Sequence, residues 1–172
     1  MLSYCPAGPI KRCAMNRNRE GEELLRVPIH MKLQYRFPAG AHYERFFREL
    51  KKNGKIMGVR CPECERVLVP PRPVCGECFT RTDEWVEVGP KGTVVAHTSI
   101  YFPFIDGSTG KPRPIPYGAG LIQLDGAYSA INHILEEGDP DKLHVGMRVE
   151  AVLKEEREGN IGDILYFKTV EE

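Results

Sequence analysis

Two tight cysteine pairs, Cys61-Pro62-Glu63-Cys64 and Cys75-Gly76-Glu77-Cys78, constrain this chain more than any other feature. Two thiolates separated by two residues point at one ion across a tight turn. The ten residues between the pairs, Glu65 to Val74, suffice for a hairpin that brings the second pair back. The spacing predicts a closed four-cysteine site of the zinc-ribbon kind. A rubredoxin-type iron centre uses the same ligands, and a dithiol redox site needs only one pair, normally within a βαβ unit. An all-cysteine tetrahedron leaves zinc no position for water. The expected single Zn2+ per chain therefore holds the fold together and does not catalyse.

At 172 residues and 41% hydrophobic content the chain suits one ordinary domain or two small ones. No apolar run approaches the roughly 20 residues that cross a bilayer, and the first residues lack the apolar core of a secretory signal. No membrane partner is expected. Cysteines spent on metal fit a reducing, cytoplasmic setting. The formal net charge of zero conceals an asymmetry: residues 1–60 carry 13 Lys and Arg against 5 Asp and Glu, and residues 61–172 carry 11 against 19. A basic front end suits nucleic acid, an acidic protein surface or a phosphorylated cofactor, or is simply a solvated arm.

Tyr43, Phe46, Phe47 and Leu50 repeat at i, i+3, i+4 and i+7, with charged residues opposite, which predicts an amphipathic helix ended by Asn53-Gly54. Its aromatics either pack on the chain's own ribbon or form a docking ridge. Strands are expected at Lys55–Arg60, Val67–Val69 and Trp85–Val88 around the cysteines. Beyond Gly89 the pattern is all β, with strands expected at Thr93–Tyr101, Gly118–Leu124, Tyr128–Leu135, Arg148–Lys154 and Ile164–Val170, separated by Gly, Pro and Asp turns. Five strands in about 80 residues suggest an oligonucleotide/oligosaccharide-binding (OB) barrel. The expected class is mainly β, as four consecutive parts: a basic arm (1–38), the helix (39–54), a rubredoxin-like zinc ribbon (55–89) and an OB-fold domain (90–172).

That order, with the strings Val59-Arg60-Cys61-Pro62-Glu63-Cys64, Pro70-Pro71-Arg72-Pro73-Val74-Cys75, Lys91-Gly92-Thr93-Val94 and Val145-Gly146-Met147-Arg148-Val149, resembles the DUF35 family from about Gly40 onward. The resemblance implies a rubredoxin-like ribbon followed by an OB-fold. It also implies a non-catalytic accessory subunit that stabilises or bridges a thiolase-superfamily enzyme in a hetero-oligomer acting on acyl-CoA thioesters, by thiolytic cleavage or Claisen condensation. Two departures stand out. Glu65 and Phe79 follow the second cysteine of each pair, where ribbon knuckles often carry Gly.

Thiolase chemistry needs a nucleophilic Cys activated by His. With four cysteines committed to metal and Cys5 and Cys13 in the arm, the reacting cysteine is expected on a partner chain. His133, after Asn132 in a predicted strand, could polarise a thioester carbonyl but reads more simply as structural. The 102–117 loop is long for a hairpin and stiffened by Pro103, Pro112, Pro114 and Pro116. Its Lys111 and Arg113 suit phosphates of a coenzyme A shared with the partner, or partner carboxylates; they also read as solvated charges. Phe104, Ile115 and Tyr117 on this loop, with Tyr43, Phe46 and Phe47 on the helix, are the candidate partner contacts. The competing reading is a nucleic-acid-binding ribbon and barrel, against which stands the acidic charge of the barrel half.

Overall fold

The computed structural model describes residues 38–105 and 110–170. Helix α1 (Ala41–Asn53) buries Phe46 and Leu50, one turn apart, and leaves Glu44, Arg48, Lys51 and Lys52 in solvent. Gly54 takes the left-handed conformation, φ 65°, and its N–H closes the helix on the Leu50 carbonyl at 3.1 Å.

Strand β1 (Ile56–Arg60) is the centre of a three-stranded antiparallel sheet, flanked by β2 (Val67–Leu68) and β3 (Glu84–Val88). Five further strands, β4 (Lys91–Ile100), β5 (Tyr117–Leu124), β6 (Ala130–Leu135), β7 (Arg148–Leu153) and β8 (Ile164–Thr169), close a barrel in the order β4-β5-β6-β8-β7. Neighbouring strands are antiparallel except β6 and β8. This is the five-stranded OB arrangement that the turn spacing predicted. On β5 the burial alternates strictly, with Gly118, Gly120, Ile122 and Leu124 inside. Gly118 is there for room: a Cβ at that position would lie 2.1 Å from the Glu137 carbonyl oxygen.

Helix, ribbon and barrel share one core, where the sequence suggested consecutive modules. Phe46 and Leu50 of α1, Ile56, Val69 and Val88 of the ribbon, and Val94, Ile122, Val149, Ile164 and Phe167 of the barrel belong to one buried cluster. Polar links reinforce it. The Tyr128 N–H donates to the Val67 carbonyl at 2.8 Å. The Ser129 hydroxyl donates to the Val69 carbonyl at 2.8 Å and accepts from the Val69 N–H at 2.6 Å. Arg157, from the loop before β8, donates to the Lys51 carbonyl at 3.0 Å, placing a cation at the negative end of the helix.

This core corrects one expectation. Phe46 is completely buried within the chain, so it is a packing residue and offers nothing to a partner. Phe47 is half-buried against the same core, and Tyr43 remains 39% exposed. The pattern along the chain cannot show that the barrel folds back beneath the helix, and it is the core shared with the barrel that covers Phe46.

Candidate functional site

The two knuckles deliver Cys61, Cys64, Cys75 and Cys78 to one point, their sulfurs all within 4.8 Å of one another. Cys64 Sγ lies 3.8 Å from Cys75 Sγ. A tetrahedron with zinc–sulfur bonds of about 2.3 Å has edges of about that length. Each knuckle is closed by the same pair of hydrogen bonds. Glu65 N–H donates to the Cys61 carbonyl and Cys61 N–H to that of Arg66, both at 2.9 Å. In the second knuckle, Phe79 N–H donates to Cys75 at 3.1 Å and Cys75 N–H to Thr80 at 2.9 Å. The residues that replace glycine keep its conformation: φ is 59° at Glu65 and 56° at Phe79. The knuckle backbone is unaltered, and the cost is local strain.

Crowding of four sulfurs drives their ionisation apart. Backbone N–H groups of Cys78 and Glu77 aimed at Cys75 bring its thiol down to about 7. The hydrogen bond with the Cys64 sulfur, then burial and the neighbouring thiolates, push Cys78 up to about 12. A divalent cation at the centre removes this conflict, since every sulfur then ligates as thiolate. The donor set thus fits a structural zinc ion with no open coordination position.

The second feature is a cleft of about 1010 Å3 on the barrel, between the β4–β5 loop and the loop from β7 to β8. Arg113, Phe104 and Tyr117 line it from the first loop and the start of β5; Lys154, Asn160 and Ile161 line it from the second; Asn132, His133 and Ile134 supply the floor from β6. In OB-folds these two loops and this sheet face form the usual ligand groove. The structure therefore gathers three of the predicted residues, Phe104, Arg113 and Tyr117. Lys111 lies on the same loop, exposed, and Ile115 is 49% exposed; neither lines the cleft. Phe104 is 58% exposed, and its carbonyl accepts from the Arg113 N–H at 2.9 Å, which pins the two arms of the loop together.

The second wall is fixed by a buried carboxylate. Asp163, fully buried, accepts from the N–H groups of Glu158 (2.8 Å), Gly159 (2.6 Å) and Asn160 (3.2 Å). Burial pushes its pKa up, but these three donors outweigh it and hold the carboxyl below the usual range. Asn160 in turn accepts from the Gly162 N–H at 2.8 Å. His133 sits in the floor with its ring edge on Phe167, centroids 5.7 Å apart, and its Nδ1 buried without a hydrogen-bond partner among the described residues. Burial pushes its pKa down.

Sequence reasoning missed Lys154, Asn160 and the role of Asp163. The string Asn160-Ile161-Gly162-Asp163 is readable as a capped turn. That it faces the 102–117 loop follows only from barrel closure.

Two family models match the chain: one described as "ChsH2, rubredoxin-like zinc ribbon domain" over residues 48–84, and one described as "ChsH2, C-terminal OB-fold domain" over residues 85–154. A "DUF35 domain-containing scaffold protein" of Methanocaldococcus jannaschii is 30% identical over 132 residues, covering 74% of this chain and 90% of its own length. Its namesake in Pyrococcus furiosus is 30% identical over 123 residues, covering 71% and 86%. Among solved structures, an "Ltp2-ChsH2(DUF35) aldolase" superposes with a TM-score of 0.54 at 24% identity, over 77% of this chain and 98% of that one. That likeness bears on the fold.

Proposed function

The chain belongs to the DUF35 family, and on that premise we propose that it is a non-catalytic scaffold subunit that docks onto a thiolase-superfamily chain acting on acyl-CoA thioesters. The observation that carries this reading is the β4–β5 loop. It leaves Phe104 58% and Ile115 49% exposed, on arms tied together by a backbone hydrogen bond, with Phe104 and Arg113 lining the cleft. Exposed apolar side chains on a stiff loop beside an arginine are the composition of an interface anchor, and pre-ordering keeps the entropic cost of docking low.

The names of the relatives agree with a scaffold role, and an aldolase named together with a DUF35 chain agrees with service to a carbon–carbon bond enzyme. The four described cysteines are spent on one metal site, which agrees with a partner that brings the nucleophilic cysteine of a thiolase reaction. Tyr43 and Phe47 extend the contact surface along α1. Arg113 and Lys154 present cations to phosphates, and Phe104 and Tyr117 present rings to a base, so the cleft suits coenzyme A shared with the partner. A reducing cytoplasm keeps the ribbon thiolates available for zinc.

The test is co-purification of the wild-type chain and of Phe104→Ser/Ile115→Ser with the thiolase-superfamily chain. The variant should lose the partner while retaining one zinc per chain. Thiolysis should depend on the wild-type scaffold, and a variant that keeps both partner and activity refutes the assignment to this loop.

A further inference from the structure

We propose that the second knuckle of the ribbon, centred on Phe79, is a separate docking surface for a protein recess that is apolar inside and edged by carboxylates. The identity of the partner, the thiolase-superfamily chain, rests on the scaffold reading above; the surface itself stands on different residues.

The two knuckles provide an internal control. Glu65 and Phe79 occupy equivalent positions, both left-handed, both closing the turn on the first cysteine of their pair. The backbone role is served equally by either side chain, so the knuckle does not require an aromatic there. Glu65 is charged and loses nothing by exposure. Phe79 is 82% exposed and has no ring partner among the described residues, so a strained position carries an aromatic that the described residues leave uncovered. Backbone strain at a surface aromatic points outward, to whatever covers the ring.

The neighbours give the chemistry of that cover. Exposed Val74 pairs with Arg81 across an isolated antiparallel bridge, directly beside the turn that carries Phe79. The stem below is rigid. The buried Thr82 donates its N–H to the Pro73 carbonyl at 3.2 Å and its hydroxyl to the Arg72 carbonyl. Elsewhere on the ribbon the cations are matched: Lys55 with Glu87, Arg60 with Glu84, Arg66 with Glu77. Arg72 and Arg81, both exposed, have no carboxylate within ion-pair distance among the described residues. An exposed phenyl ring on a rigid turn whose stem carries Arg72 and Arg81, neither ion-paired among the described residues, is complementary to a recess lined by apolar groups and edged by Asp or Glu. Residues 1–37 are a poor cover, since their seven Lys and Arg against three Glu would meet like charge.

Phe79→Gly separates docking from folding, because glycine relieves the left-handed position. The variant should keep its zinc and melt at or above the wild-type temperature, yet bind the thiolase-superfamily chain at least tenfold more weakly by titration calorimetry. Glu65→Gly should leave binding unchanged, and Arg72→Ala/Arg81→Ala should flatten its salt dependence. A wild-type complex whose affinity Phe79→Gly alters less than twofold overturns this inference and leaves the scaffold reading intact. A wild-type chain that binds no such partner removes both. Wild-type self-association abolished by Phe79→Gly would assign the knuckle to a second copy and overturn the proposed partner.

Discussion

Replacing Phe46 by Ala probes whether helix, ribbon and barrel are one cooperative unit. A buried Phe removes about 200 Å2 from water, worth roughly 5 kcal/mol at ~25 cal/mol per Å2. Ala keeps the Cβ contact, and the surrounding side chains, held by the ribbon on one side and the barrel on the other, collapse only partly into the space. The expected loss is therefore about 3–5 kcal/mol, a large share of the roughly 5–15 kcal/mol that stabilises a typical domain. Urea unfolding followed three ways tests it. Fluorescence of Trp85, the single tryptophan, reports on β3; zinc release to a chromogenic chelator reports on the knuckles; pulse-labelled amide exchange of β5 and β6 reports on the barrel. Because Phe46 lies in the core that all three parts share, the transitions should coincide in the wild type and move together to lower urea in the variant. If zinc release shifts while the barrel transition stays in place, the shared core does not couple the two parts and the reasoning fails.

Asp163→Asn replaces one carboxylate that accepts three backbone donors with an amide that carries donors of its own, and should cost about 2–4 kcal/mol. Since the folded carboxyl is held below its unfolded value, its contribution is complete above pH ~4 and is lost as the pH falls through the folded pKa. The acid limb of the stability curve should accordingly be shallower in the variant, and an unchanged limb would count against the buried-carboxylate argument. Cys75→Ser should abolish stoichiometric zinc and lower the melting temperature by more than 10 °C, as measured by metal analysis and calorimetry. Wild-type protein should be colourless; a red product would mean ferric iron in the site. Gly118→Ala drives a methyl into the Glu137 carbonyl and should cost at least about 2 kcal/mol in chemical denaturation, whereas Gly76→Ala, with open space around it, should be near neutral.

Local pattern was legible wherever neighbours along the chain decide the outcome. Helix α1 follows from the spacing of Phe46 and Leu50 and stops at Gly54; the knuckles follow from cysteine spacing; the barrel strands follow from alternation between turn residues. Contacts between distant segments were not legible. Phe46 and Tyr43 look alike on a helical wheel, yet one is buried and the other open, because only the packed barrel decides which side of the helix is covered first. The cleft was half-visible for the same reason. Phe104, Arg113 and Tyr117 share a loop and announce themselves together, while Lys154 and Asn160 arrive from a second loop whose position depends on strand order.

The sequence alone determined the ligand set, the order of the elements and the mainly β class, since these rest on short-range periodicity and on the chemistry of thiolates. Tertiary structure alone decided that ribbon and barrel share a core and that two loops flank one cleft over His133. Burial and enclosure depend on which surfaces meet across tens of residues, and no local pattern encodes that meeting. The same physics explains why Phe79 became informative only in three dimensions. As a letter beside a cysteine it is a departure from glycine; as a strained and uncovered ring it is a surface that calls for a partner.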